Sequence, residues 1–387
     1  VIDMSQFRLG VLAMYLPGKR LEERSFYRKL CIYGKRLGIE PVVFTPDDVD
    51  TKGQRVFAQT YDPATKRWQR LWVPFPSLIY DRCRYHGIDN FHKLTQFRNR
   101  HGKLRYMSRP LVNKWGMHQI LSESSTLTPY LPHTIKYRSS QDLSRMLKQH
   151  RLLYLKPRSG TGGRGIVRIE KLGTNLYQVQ GRDQQRRIIT PRQVTEQQIG
   201  QVLSGWPLVE RYIIQQGIPL TLKDGRVHDF RMLVQKNGEG EWEITGCAGR
   251  IGPHRSVTSN LHGGGTAIPM EKLLRHKFTD PAKIIRIKQT AYKMGIETVK
   301  FLDTKFDVFC EVGLDIAVDP SGHVWILEVN PKPSREVFSR IGEQETYRRA
   351  ITRPLEFALF LQRGGKPGRT PVSSSLDSGE PKDNAGS

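Results

Sequence analysis

The chain has 387 residues, room for two or three domains at roughly 100–200 residues each. Hydrophobic residues make up 37% and charged residues 26%, which excludes a wholly disordered, collagen-like or coiled-coil chain. The net charge is +25, with +11 over residues 1–110, +10 over 111–205 and only +4 over 206–363. Such a field draws polyanions: nucleotides, nucleic acid, acidic polymers or acidic surfaces. Its sign does not choose among them.

Taken in order, residues 9–13 (LGVLA) read as a short buried strand. Leu21, Tyr27, Leu30 and Leu37 give residues 21–37 one apolar helical face, and a second strand follows Gly38 at 40–44. This β-α-β opening points to a small α/β domain. A hairpin around Asp62-Pro63 joins 55–60 to 67–73. Strand 77–80, a helix near 88–100 and a basic connection from Arg98 to Arg109 lead to a boundary at Pro110.

Beyond it, helices are predicted at 113–122 and 140–150. Strands at 152–156 and 166–170 flank a glycine-rich loop. Two short strands, a helix near 194–203 and a strand at 209–213 follow. Hairpins are predicted at 227–236/241–250 and at 311–318/323–329, with helices at 281–301 and 344–362. From Gly364 the chain is Gly, Pro, Ser and charge, and is expected to be disordered. The expected organisation is an N-terminal domain over 1–110, one lobe over 111–205, a second over 206–363, and a tail over 364–387.

Several familiar chemistries are absent. No apolar run is long enough for a transmembrane helix, and the first residues lack the pattern of a secretory signal, so cytoplasmic synthesis is expected. Cys31, Cys83, Cys247 and Cys310 have no metal or redox spacing and read as reduced thiols. Zinc-finger and RRM signatures are missing, which argues against specific nucleic-acid recognition. No nucleophile elbow occurs.

Three segments carry chemistry instead. Lys156-Pro-Arg-Ser159-Gly160-Thr-Gly162-Gly163-Arg-Gly165 places four glycines in six positions, so main-chain N–H groups can approach a phosphate. It is neither a Walker A loop nor a dinucleotide fingerprint, because a strand rather than a helix follows. A flap between antiparallel strands, with a lysine on the first, can cover ATP phosphates. A plain hairpin tip is the bland alternative.

The second segment is Glu311-Val-Gly-Leu-Asp315-Ile-Ala-Val, a turn, then Val324-Trp-Ile-Leu-Glu328-Val-Asn330. Closing the turn over 319–322 would pair 315 with 326. Asp315, Ala317, Ile326, Glu328 and Asn330 would then share one face, with Leu314, Ile316, Val318, Leu327 and Val329 on the other. Two carboxylates and an amide suit a hard cation such as Mg²⁺. The bland alternative is a half-exposed hairpin. The third segment set is Asp229-Phe-Arg231, Arg250 and Asn260-Leu-His-Gly-Gly-Gly: cations that can neutralise a phosphoryl group, and backbone close to a ligand.

In this order the pieces resemble the ATP-grasp superfamily over about 111–355. The N-terminal opening, Asp81-Arg82 after LIY, and the DFRMLVQ and SNLHGGG segments resemble the YheC/YheD type, endospore coat-associated proteins of spore-forming bacteria. The resemblance implies an α/β ATP-grasp fold with α+β lobes behind a small α/β pre-ATP-grasp domain. It implies ATP as nucleotide, with two Mg²⁺ ions or Mn²⁺ in their place. Lys114 and Lys156 correspond to the phosphate lysines, and Ser159, Gly160, Gly162, Gly163 and Gly165 to the flap. Glu210, Arg211, Tyr212 and Ile213 correspond to the adenine hinge. Asp315, Glu328 and Asn330 match the metal ligands, while Arg231, Arg250 and Asn260 match the catalytic positions. The hinge is followed by Gln215-Gln216-Gly217, so the resemblance supplies no ribose-binding acid.

The activity so implied is ligation of a carboxylate to an amine or thiol through an acylphosphate. A nucleotide-binding scaffold of the spore coat is the other class of function. The basic excess of residues 1–205 exceeds what a nucleotide needs. It points to a polyanionic carboxylate substrate, with attachment to an anionic spore surface as the competing reading.

Overall fold

The computed structural model describes residues 7–84, 88–108, 111–160, 163–185, 187–259, 261 and 264–366. The expected disorder of the tail falls, from residue 367 on, outside the described residues, as do Gly162 and Asn260.

A seven-stranded sheet forms the N-terminal part. Its order is Val49–Asp50, Arg55–Asp62, Ile39–Phe44, Phe7–Leu12, Leu78–Asp81 and Arg105–Ser108, with Arg67–Pro74 paired on Arg55–Asp62. Phe7–Leu12 runs parallel to both of its neighbours. Parallel strands need crossovers, and the helices Arg24–Arg36 and Ile88–Arg100 supply them. Alternation along the strands sorts the cover. Leu9 and Val11 pack with Phe26, Tyr27 and Leu30 of the first helix, whereas Leu12, Val42 and Phe44 pack with Leu94 and Phe97 of the second. The segment read as a basic connection contains a strand, Arg105–Ser108, parallel to Leu78–Asp81. Only Tyr106, Met107 and Ser108 of it are buried, too short a run to show a period.

The second sheet is six-stranded and antiparallel, in the order Thr134–Lys136, Tyr212–Gln216, Leu152–Pro157, Ile166–Gly173, Leu176–Arg182 and Ile188–Val194. Leu143, Met146 and Leu147 of helix Ser140–Gln149 and Ile199 of helix Glu196–Val202 cover one face.

The third sheet runs Thr266–Pro269, Trp242–Ile251, His228–Lys236, Glu311–Val318 and Val324–Asn330. Phe230, Met232 and Val234 pack with Ile284, Ile287, Ala291 and Met294 of helix Pro281–Lys305. On the opposite face Leu233 packs with Ile351 and Leu355 of helix Gln344–Gln362, in the same core as Leu9 and Val11 of the first sheet. Asp229 and Arg231 lie further along that face. Met117 and Leu121 of helix Lys114–Ser122 also join the third sheet's core. Among the described residues no helix is long and apolar enough to cross a membrane.

The last hairpin departs from the expected register twice. Asp319 N–H donates to the His323 carbonyl (3.0 Å), which leaves a three-residue loop with Gly322 at φ 98°. Val318 therefore pairs with Val324, and Ile316 with Ile326. A bulge then makes Asp315 face Glu328 and Gly313 face Asn330. The two one-residue departures cancel at Glu328 and Asn330, which share a face with Asp315. They do not cancel at Ile326, expected on the polar face but buried in the core at 3% exposure.

Candidate functional site

The third sheet presents a charged row across four strands. Arg250 stands opposite Asp229, Arg231 opposite Asp315, and Asp315 opposite Glu328. Arg250 donates to both oxygens of Asp229 (2.7 and 2.6 Å) and reaches Asp315 Oδ2 at 3.1 Å. Arg231 Nε donates to Asp315 Oδ1 at 2.6 Å. Burial pushes the Asp315 carboxyl up, but Arg231 and Arg250 outweigh it and hold the group below the usual range. Burial likewise opposes the charge on Arg250, and Asp229 with Asp315 overrides it, so that guanidinium stays charged.

Helix Lys114–Ser122 starts at the cleft because Asn113 caps it, its side chain accepting from Gly116 N–H at 3.0 Å. Its first residue, Lys114, donates to the Gly160 carbonyl (2.6 Å) and lies 3.2 Å from Glu328 Oε1. The flap and the carboxylate row thus share one lysine.

Lys156 sits on the strand entering the flap and donates to Gln215 Oε1 at 2.6 Å, while Gln215 donates to Thr134 Oγ1 at 3.1 Å. Burial lowers the Lys156 ammonium to about 8, Glu328 partly restores it, and Lys114 opposes it. Asp315 and Asp229 also favour its charge, so Lys156 lies within electrostatic reach of the same charged row. Gln215 was not singled out as a site residue. Its signal was a polar side chain inside the apolar strand YIIQQ, where it is 6% exposed.

Of the flap glycines described, Gly163 and Gly165 take positive φ (70° and 63°), and Gly160 has φ 136°. A Cβ on Gly165 would lie 2.3 Å from Gln184 Nε2 and 2.8 Å from the Tyr212 hydroxyl. Left-handed backbone alone costs about 1–2 kcal/mol for an alanine. Gly165→Ala is therefore expected to lower the unfolding free energy by at least about 1 kcal/mol in urea titration. Ser159 precedes this turn at the exposed edge.

The hinge lies beside Lys156, since Ile213 pairs with it and Tyr212 with Pro157. Its carbonyls are already engaged. Glu210 accepts from Arg158 Nη1 (2.8 Å), Arg211 from Arg158 N–H (2.8 Å) and Tyr212 from Tyr137 N–H (3.0 Å). Each keeps a second lone pair for a ligand. The Glu210 side chain stands 3.8 Å from Arg158 and is exposed.

The structure thus brings Lys114, Lys156, Asp315, Glu328, Asn330, Arg231 and Arg250 to one cleft. Among the described residues no three His, Cys, Asp or Glu side chains are placed to hold a metal. The donor set is two carboxylates and one amide. Asn330 Nδ2 is buried without an acceptor, an unmet N–H donor on the carboxylate face that suits an anionic oxygen such as a phosphate's. Oxygen donors of this kind fit Mg²⁺ bound together with a nucleotide's phosphates.

Residues 103–361 match the profile of the family described as "YheC/D like ATP-grasp". The chain belongs to the YheC/D like ATP-grasp family. Endospore coat-associated protein YheC of Bacillus subtilis (strain 168) is 28% identical over 357 residues, 90% of this chain and 95% of that protein. The ATP-grasp fold is shared with the macrocyclase MdnC bound to precursor peptide MdnA, from Microcystis aeruginosa MRC (13% identity, TM-score 0.52, 90% of this chain and 99% of that one). It is shared too with the ATP-grasp ligase PsnB in complex with a phosphomimetic minimal precursor, Mg and ADP (12%, TM-score 0.50, 92% and 99%). The glycine flap and the Asp315/Glu328/Asn330 face lie on two separate sheets, bridged by Lys114.

Proposed function

We propose that this protein is a Mg-ATP-dependent ligase that joins a carboxylate to an amine through an acylphosphate, and that it works in association with the spore coat. One observation carries the reading: two lysines, a glycine flap, two arginines, an acidic pair and an amide with an unmet N–H donor converge on one cleft. Lys156 and Lys114 would hold the ATP phosphates while the flap covers them. Asp315, Glu328 and Asn330 would hold two Mg²⁺, or Mn²⁺ in their place. Bound there, the metal would neutralise phosphate charge and polarise the phosphoryl oxygens.

In the first step a substrate carboxylate oxygen attacks the γ-phosphorus, the bond to the β,γ-bridging oxygen breaks, and ADP leaves. An amine then attacks the acyl carbon, phosphate leaves with the C–O electron pair, and the nitrogen loses a proton. Arg231 and Arg250 would offset the charge that builds on the transferring group. The protein contributes alignment and charge, with no covalent nucleophile.

The test is ADP release with candidate acids, with and without an amine, read with product mass. Ligation predicts sustained, multiple-turnover ADP release only when both are present, at most about one equivalent with the acid alone, and a product equal to acid plus amine less one water. ADP release indifferent to the amine would reject it. The name of the relative YheC as coat-associated favours a second reading, a nucleotide-binding scaffold, which predicts ATP binding without turnover.

The charge of residues 1–205 supports a polyanionic carboxylate substrate. Poly-L-glutamate binding should weaken steeply up to 0.15 M salt, where the Debye length is about 8 Å, and should alter ATP turnover. Binding that leaves turnover unchanged would favour attachment to an anionic surface.

A further inference from the structure

The hairpin bearing Asp315, Glu328 and Asn330 has two ends. The 320–322 loop closes one. At the other, Glu311 begins the first strand and Pro331–Arg335 follows the second, neighbours because Gly313 pairs with Asn330. A single segment of the N-terminal part, Tyr80–Arg84, the end of strand Leu78–Asp81 and the three residues after it, grips this end.

Arg82 is 1% exposed. It donates to Glu311 Oε1 (2.9 Å), to the Pro333 carbonyl (3.3 Å) and to Glu23 (2.9 and 3.1 Å). The Tyr80 hydroxyl donates to Glu311 Oε1 at 2.5 Å. Arg335 donates to Glu311, to the Tyr80 hydroxyl (2.8 Å) and to the Pro333 carbonyl (3.1 Å). Arg84 donates to the Lys332 carbonyl at 2.7 Å, and Lys332 returns to Asp81 (2.9 Å) and to the Cys83 carbonyl. Asp81 is held in turn by Arg98 at 2.7 Å.

Buried charge is a poor way to glue two parts together. Apolar residues of the same volume are often equally or more stabilising, whereas directed ion pairs specify register. Every lobe-side partner here is either the root of the Asp315 strand or within five residues after Asn330. Groups behind metal ligands typically set ligand orientation and affinity.

We propose that the Tyr80–Arg84 segment is a positioning element for the Asp315/Glu328/Asn330 face, so that the N-terminal part controls how well the cleft takes up metal-bound nucleotide. Arg82 is the principal positioning residue and Arg84 the second. Neither reaches the cleft itself. The inference rests on the reading of the cleft as a Mg-ATP site.

The experiment uses the full chain with Arg82→Met, Arg82→Lys and Arg84→Met. ATP binding is measured by calorimetry in EDTA and across a Mn²⁺ titration, together with amide hydrogen exchange over 328–335. Loss of positioning raises the Mn²⁺ needed for half-saturation about tenfold in Arg82→Met, with ATP affinity in EDTA within about twofold of wild type. Exchange over 328–335 rises while the 320–322 loop is unchanged. Arg82→Lys, keeping one charged bond, recovers part of the metal requirement. Arg84 lies at the edge, its side chain 26% exposed, so Arg84→Met keeps the fold even if Arg82→Met does not. It should show the same shift in smaller measure. Wild-type metal dependence and exchange in the variants, with only a lower melting temperature, would overturn the proposal. If the wild-type protein itself binds ATP without metal dependence, the Mg-ATP reading fails. Hydrogen exchange then decides the positioning claim by itself.

Discussion

Replacing Lys156 by methionine is expected to weaken ATP binding by about 1.5–3 kcal/mol, the scale of a charged hydrogen bond in a site poor in water. Methionine keeps the stem and removes the charge, so Gln215 loses its donor but the strand keeps its packing. The same residue predicts a pH dependence. Burial lowers its ammonium to about 8 in the free protein. ATP binds the protonated form better, so binding must take up a proton once the pH exceeds that value. Wild-type affinity should therefore hold between pH 6 and 7.5 and fall by up to about tenfold per pH unit above 8. Calorimetry in buffers of different ionisation enthalpy would show the proton uptake directly. Lys156→Met should lose both the uptake and this fall. A mutant with wild-type affinity, or a wild-type protein with flat affinity to pH 9, would remove Lys156 from the phosphate site.

Much of this site was legible because its parts are local. The flap announces itself by glycine density, the helix at Lys114 by the capping Asn113, and the acidic hairpin by alternation on either side of Asp319-Pro320-Ser321-Gly322. Register was not legible in the same way. The sequence suggests a four-residue turn, yet Asp319 Oδ1 gathers the N–H groups of Ser321, Gly322 and His323 (2.9, 3.1 and 3.0 Å) and tightens it to three. That shift alone would have turned Glu328 into the core; the bulge turns it back. No local pattern announces a bulge whose purpose is to re-aim one side chain. Gln215 and the Tyr80–Arg84 clamp were missed for a different reason. Their partners, Lys156, Glu311 and Arg335, lie far off in sequence, and a lone Gln inside an apolar strand, or a lone Arg just after one, has no spacing to read. Asp81-Arg82 stood out only through family resemblance, without indicating what the arginine grips.

The two carboxylates of the cleft should behave differently when neutralised, although both face the proposed metal. Glu328→Gln removes a group whose side chain is 29% exposed and whose partner, Lys114, keeps the Gly160 carbonyl. A pair so open to solvent contributes about 0–1 kcal/mol. The variant should fold as the wild type does and lose Mg²⁺-dependent ATP turnover. Asp315→Asn is another matter. Asp315 is 8% exposed and neutralises Arg231 and part of Arg250. Removing one partner of a buried pair typically costs about 3–5 kcal/mol, because the remaining charge has no solvent to turn to. Urea unfolding at pH 7 should therefore show a loss of about 3 kcal/mol for Asp315→Asn and under about 1 kcal/mol for Glu328→Gln. Acid should narrow the first difference. A carboxyl lowered by folding contributes stability that is complete above its unfolded value, about 3.8, and fades as the pH falls through its folded value of about 2. Between pH 5 and pH 2 the wild type should lose more stability than Asp315→Asn does, and the two curves should converge. Parallel curves over that range would mean that Asp315 is not held ionised by its arginines, and the charged row would then lack the fixed anion on which Arg231 and Arg250 are aligned.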